Sequence, residues 1–126
     1  MRRGEAIGPR GQRWVVEVPD GRRERARGLL GRESIGPGEG MLFEGARSVH
    51  TVGMRFPIVA AFLGRPGDDG RRIVRRALAL PPGRVTLPRP GSDSVLELAA
   101  GSDVRVGDAI LCRLPTAGSD ARAPIV

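Results

Sequence analysis

The chain of 126 residues has no lysine, tyrosine or asparagine, and only one cysteine (Cys112), one histidine (His50) and one tryptophan (Trp14). Each scarcity closes off a class of chemistry. A single thiol excludes an intramolecular disulfide and a cysteine-rich metal site. One histidine with carboxylates dispersed at Asp68, Asp69, Glu97, Asp103 and Asp108 gives no zinc-ligand spacing, since zinc needs three or four convergent ligands. Asp68-Asp69-Gly70 is a turn signal without the alternating ligands of a calcium loop. No metal and no cofactor are expected. No stretch approaches the roughly 20 apolar residues of a membrane span. The basic start, MRRGEAIGPRGQRW, lacks the apolar segment of a secretory signal, so the expectation is a cytoplasmic protein.

What the chain has in abundance is arginine. All 21 basic residues are Arg, against 14 acidic residues, giving a net charge of +7. With many Gly and Pro, this bias fits a GC-rich genome. A selected polyanion site would cluster its charge, whereas these arginines run from Arg2 to Arg122. Stacking platforms for single strands also need exposed aromatics, and Trp14, Phe43, Phe56 and Phe62 all sit in apolar patterns. The glycine loops at 36–40 and 64–70 lack the Gly-Lys-Ser/Thr ending of a phosphate loop. The charge favours weak, salt-sensitive contact with anionic polymers, but no dedicated nucleic-acid site is expected.

Hydrophobic content of 40% with 28% charged residues suits one globular domain. Residues 1–12 are Gly/Arg/Pro without periodicity and 115–126 are small, polar and Pro-bounded; both are read as flexible ends around a domain at 13–114. Between them, short apolar runs broken by Gly or Pro describe an antiparallel β domain. Trp14–Val18 alternates as a half-buried strand does. Gly40–Phe43, Val49–Met54, Ile73–Leu80, Val85–Leu87, Ser94–Ala99 and Ala109–Leu114 read as further strands. Ile58–Leu63 is wholly apolar and predicts a central strand covered on both faces. One short helix is expected over Arg22–Leu30, with Asp20 as its cap and Gly31 beyond its end. The fold class is therefore mostly β, a barrel or sandwich with one helix near the N-terminus, as a monomer or weak dimer.

Five motifs follow one another: Arg27-Gly28-Leu29-Leu30-Gly31-Arg32, Gly40-Met41-Leu42-Phe43, a block from His50-Thr51 through Gly53-Met54-Arg55 to Pro57, Val95-Leu96-Glu97-Leu98 with Gly101, and Val106-Gly107-Asp108. Together they resemble the bacterial and archaeal family called domain of unknown function 192, over about Trp14 to Leu114. The resemblance implies a compact, mostly β domain with a helix near its start, and no reaction. The family usually continues its corner as Pro-Leu-Asp; here the residues are Pro57-Ile58-Val59. The connection from Gly101 to Gly107 is also shorter than the family's.

The candidate site residues are Arg27, Arg32, His50, Arg55 and Glu97. His50 is the one conventional general base near neutral pH, and with Arg55 it is a candidate catalytic residue in a cleft closed by the helix. The simpler reading makes it a histidine satisfied by a carbonyl and packed on the core. The arginines can bind an anion in a fork. The structural alternative is that Glu97, inside an apolar strand, pairs with Arg27 or Arg32 and pins the helix to the sheet. Cys112 shares its strand phase with Ile110 and Leu114, the pattern of a buried, unreactive thiol. The leading expectation is a non-catalytic binding or accessory module with an unknown partner. A small hydrolase or transferase using His50, Arg55 and Arg32, and weak nucleic-acid association through arginine, are the alternatives.

Overall fold

The computed structural model describes residues 1–115. Its elements are β1 (Arg2–Ile7), β2 (Arg13–Val18), α1 (Arg22–Arg27), β3 (Glu39–Glu44), β4 (Ile58–Leu63), β5 (Arg71–Leu80), β6 (Ser94–Ala99) and β7 (Ala109–Arg113). The strands close into a barrel in the order β1-β2-β3-β6-β4-β5-β7, with β7 returning to β1 through Glu5↔Arg113 and Ala6↔Cys112. The expected class, mostly β with one short helix, holds.

Strand phase divides the core in two. Trp14, Val16, Val18, Leu42, Ala61, Leu96, Leu98 and Ile110 fill the barrel. On the outer face of β3, β4 and β6, Met41, Ile58, Ala60, Phe62 and Val95 lie beneath Leu29, Ile35, Met54 and Phe56, contributed by the chain between α1 and β4. This second layer explains why β4 and β6 are apolar on both faces: one side meets the barrel interior and the other meets a covering segment.

Several local expectations need correction. Residues 2–7, read as part of a loose end, form β1, paired with β2 along its whole length and with β7. Their composition hides the strand because only Ala6 is deeply buried, with Gly4 in phase with it; a Cβ at Gly4 would stand 2.5 Å from the Arg113 carbonyl oxygen. The segment expected to be flexible from 115 onward falls, from residue 116, outside the described residues. The sheet is not wholly antiparallel, because β2 and β3 pair in parallel across the α1 connection. Val49–Met54 and Val85–Leu87 are not strands but facing loops joined by the isolated bridge His50↔Val85. Val85 and Leu87 are exposed, so their apolar character had suggested burial that the fold does not provide.

In β5 a bulge breaks the expected alternation. Phe62 pairs with Arg76 and Leu63 with Val74, so Arg75 is the extra residue. An extra residue reverses side-chain phase: Val74 faces the barrel interior, whereas Leu78 and Leu80 join the outer layer, and the Arg76 guanidinium lies 5.9 Å over the Phe62 ring.

Candidate functional site

The barrel's outer layer leaves a gap where α1 and the loop at 46–54 meet β3 and β6. It is a cleft of about 300 Å³, the low end of the range for small-molecule sites. Leu29, Leu30, Phe43, Val49, Met54 and Val95 give it apolar walls, and Arg25, Arg27, Ser48, His50 and Glu97 bring polar groups to it.

Local chemistry sets each wall. The helix runs for six residues and stops because Gly28 adopts φ 47°, ψ −123°, a region open essentially to glycine alone. Its amide still donates to the Glu24 carbonyl at 2.9 Å, and the chain then turns Leu29 and Leu30 onto the sheet. This end falls three residues short of the expected Leu30. Asp20 is not the cap either: Gly21 occupies that position without a side-chain bond, the Glu24 carboxylate accepts from the Asp20 amide at 2.9 Å, and Asp20 Oδ1 accepts from Arg2 Nε at 2.6 Å.

The opposite wall is fastened by Thr51, which is wholly buried. Its hydroxyl donates to the Pro81 carbonyl at 2.7 Å and accepts from the Arg84 amide at 2.9 Å. Its own amide and carbonyl bond to Arg84 and Gly83. Thr51 thus ties the loop that carries His50 to the loop after β5, a role that sequence reasoning missed although the residue stands inside the His50-to-Pro57 motif.

Glu97 forms the floor. It sits in register between Met41 of β3 and Ala60 of β4 and is 5% exposed. Burial pushes its carboxyl up to about 7, since a low-dielectric setting disfavours the charged form. No hydrogen bond or ion pair among the described residues reaches its side chain. The expected pairing with Arg27 or Arg32 is therefore absent. Arg32 instead bonds Glu17 at 2.6 Å, and Arg27 stays at the rim outside ion-pair distance of Glu97.

Of the five candidate residues, the fold gathers three, Arg27, His50 and Glu97, around the cleft. Arg32 is turned to β2 through Glu17. Arg55 is exposed and lies 3.8 Å from Glu33, so the His50–Arg55–Arg32 constellation does not assemble. His50 is itself exposed and its ring makes no hydrogen bond among the described residues, unlike the packed and satisfied histidine of the simpler reading. Arg25 and Ser48 also line the cleft; no sequence pattern singled them out, since residues two apart on a helix do not share a face and Ser48 lies in a loop.

The remaining reactive groups lie elsewhere. Cys112 packs against the interior core but is half-buried, not fully enclosed, and burial raises its thiol pKa. Near it, Arg72 is 7% exposed and donates to Glu44 at 2.8 Å and Ser94 at 3.2 Å. Among the described residues, no cluster of three or more His, Cys, Asp or Glu could hold a metal ion. No helix among them is long and apolar enough to cross a membrane.

With this geometry in view, comparisons place the chain. It is similar in structure to a proposed transcription regulator of Sinorhizobium meliloti, with 27% identity and a TM-score of 0.69 over 88% of this chain and 92% of that one. It is also similar to a protein of unknown function from Novosphingobium aromaticivorans, at 26% identity and a TM-score of 0.64 over 86% and 82% of the two chains. No curated protein matches at a significant level. The family model DUF192, Uncharacterized ACR, matches residues 5–110. Val59, standing where the family resemblance leads one to expect an Asp, pairs with Leu98 of the barrel interior; it is out of phase with Ala60 and Glu97, so the substitution does not alter the cleft floor. Matched across most of its length, the chain belongs to the DUF192 family.

Proposed function

We propose that the protein is a non-catalytic binding module whose cleft, between α1 and the 46–54 loop, takes a small molecule with an apolar body and an anionic end. The cleft itself carries this reading: apolar walls converge on a few polar groups, the usual composition of a ligand site, and two arginines stand at its mouth. Its volume of about 300 Å³ is at the scale of a small-molecule site. Catalysis has less support. A nucleophile needs an adjacent base, and Ser48 and His50 share no hydrogen bond although both line the cleft.

A role on nucleic acid is the second reading, favoured by the net charge of +7 and by the description of the Sinorhizobium relative. Against it, Trp14, Phe56 and Phe62 are buried and Phe43 is half-buried in the cleft wall, so the chain lacks the row of exposed rings on which successive bases stack. The six-residue α1 is also short for a groove-reading helix. A cytoplasmic setting belongs to the same proposal.

Anilinonaphthalene sulfonate, an aromatic anion that fluoresces in apolar surroundings, tests the binding reading. It should bind at one saturable site, and Ala46→Trp, which fills the cleft from its wall, should abolish that site with the far-ultraviolet spectrum unchanged. Absence of saturable binding, or full binding by Ala46→Trp, would overturn the reading.

A further inference from the structure

We propose that the ligand of this cleft is amphoteric, with a protonated amine held by Glu97 at the floor, an apolar body along the walls and an anionic end at Arg25 and Arg27. The inference rests on the cleft being a small-molecule site and adds the chemistry of its occupant. Glu97 is the observation that carries it. Its side chain is 5% exposed, lines the cleft and has no hydrogen bond or ion pair among the described residues. Asp108, the other buried carboxylate among the described residues, is treated differently: Arg10 donates to both its oxygens at 2.9 and 2.7 Å, and the Arg105 amide donates at 2.9 Å.

Buried polar groups are as a rule satisfied, and an ionised carboxylate is an acceptor only. A ligand that pairs with Glu97 must bring donors, and an ammonium brings them together with the charge that compensates the carboxylate. The protein supplies none at the floor. Met41 and Ala60, its neighbours in β3 and β4, are apolar. α1 presents Arg25 and Arg27 and the facing loop presents His50, all outside ion-pair distance of Glu97. Negative charge at depth and positive charge at the mouth define a cleft polarised along its axis, the complement of a molecule with an amine at one end and an acid at the other.

Proton linkage follows from the same arrangement. Burial keeps the Glu97 carboxyl near about 7. An ammonium group binds the ionised form, so binding expels a proton and strengthens as pH rises through neutrality. His50 also faces the cleft, so its contribution is separated by substitution.

The experiment compares para-aminomethylbenzoate with para-toluate, which lacks the amine, and benzylamine, which lacks the acid, in titrations followed by NMR. The bifunctional probe should bind about tenfold more tightly than either single-ended one, as expected for a charge-assisted hydrogen bond. Its affinity should rise from about pH 6 to about pH 8, and His50→Gln should keep that rise. Glu97→Gln should bring it down to the para-toluate level and flatten the pH dependence, while anilinonaphthalene sulfonate still binds. Equal affinity for para-aminomethylbenzoate and para-toluate in the unmodified protein, or an amine preference that survives Glu97→Gln, overturns the amphoteric ligand while leaving the cleft reading standing. Loss of saturable dye binding to the unmodified protein removes both.

Discussion

Glu97 and Arg72 are both buried ionisable residues, and the fold treats them in opposite ways. Arg72 is bonded through both terminal nitrogens to Glu44 and Ser94, leaving only Nε without a partner. Glu97 has no partner and keeps its proton to higher pH, with its carboxyl raised from 4.5 to about 7 by desolvation. For a group whose folded pKa is raised, the stabilising contribution is full below the unfolded value and is lost as pH climbs toward the folded one. Above about 7 the native protein thus carries a deficit of about 3 kcal/mol, at about 1.4 kcal/mol per pKa unit. Glu97→Gln should accordingly match the parent near pH 4 and exceed it by about 3 kcal/mol near pH 8 in urea unfolding. Parallel stability curves for the two proteins would contradict this. The outcome differs from what an Arg–Glu pair would give, where removing the acid leaves an arginine uncompensated and always destabilises. An acidic residue within the apolar run Ser94–Ala99 could be recognised as buried from sequence. Its missing partner could not, because arginine occurs so widely in this chain that spacing favours no particular one.

At the scale of elements, Gly28 decides both where α1 ends and how it covers the cleft. Its φ of 47° and ψ of −123° oppose any side chain, and a Cβ there would stand 3.1 Å from Phe43 Cζ. Gly28→Ala should cost about 1–3 kcal/mol in thermal or denaturant unfolding and weaken dye binding, because Leu29 and Leu30 hang from the turn that follows. Unchanged stability together with unchanged dye affinity would show that the turn does not position the wall. The strongest elements were legible from their patterns: alternation in Trp14–Val18 and the unbroken apolar run Ile58–Leu63 gave strands at their observed places. What escaped pattern reading had a different physical origin. β1 is a strand through its hydrogen bonds to two neighbours, with few apolar residues to announce it. The loops around His50 and Val85 are apolar without being strands, since Thr51 and its bonds to Pro81, Gly83 and Arg84 hold them together. The second face of β5 moved because one inserted residue, Arg75, reverses everything after it.

For the molecule as a whole, much of the arginine excess is structural. Arg10, in the turn between β1 and β2, binds Asp103 at 2.9 and 3.0 Å and Asp108 at 2.9 and 2.7 Å, clipping that turn to the approach to β7. Hydrogen bonds from Arg10 hold both carboxyls below their usual value of 3.8. A depressed carboxyl contributes stability that is present above its unfolded pKa and lost as pH falls through the folded one. Arg10→Gln should therefore be less stable than the parent at neutral pH, with the difference closing below 3.8; a deficit that persists undiminished into acid would mean the clip acts through packing instead. Closure of the barrel has a consequence for synthesis as well. Glu5 meets Arg113 across β1 and β7, so the ring cannot shut while β7 is still inside the ribosome. Until then β1 and β5, the two strands that β7 joins, present open edges to other nascent chains. Such edges are templates for aggregation, and the hazard ends only when β7 has emerged and paired with both.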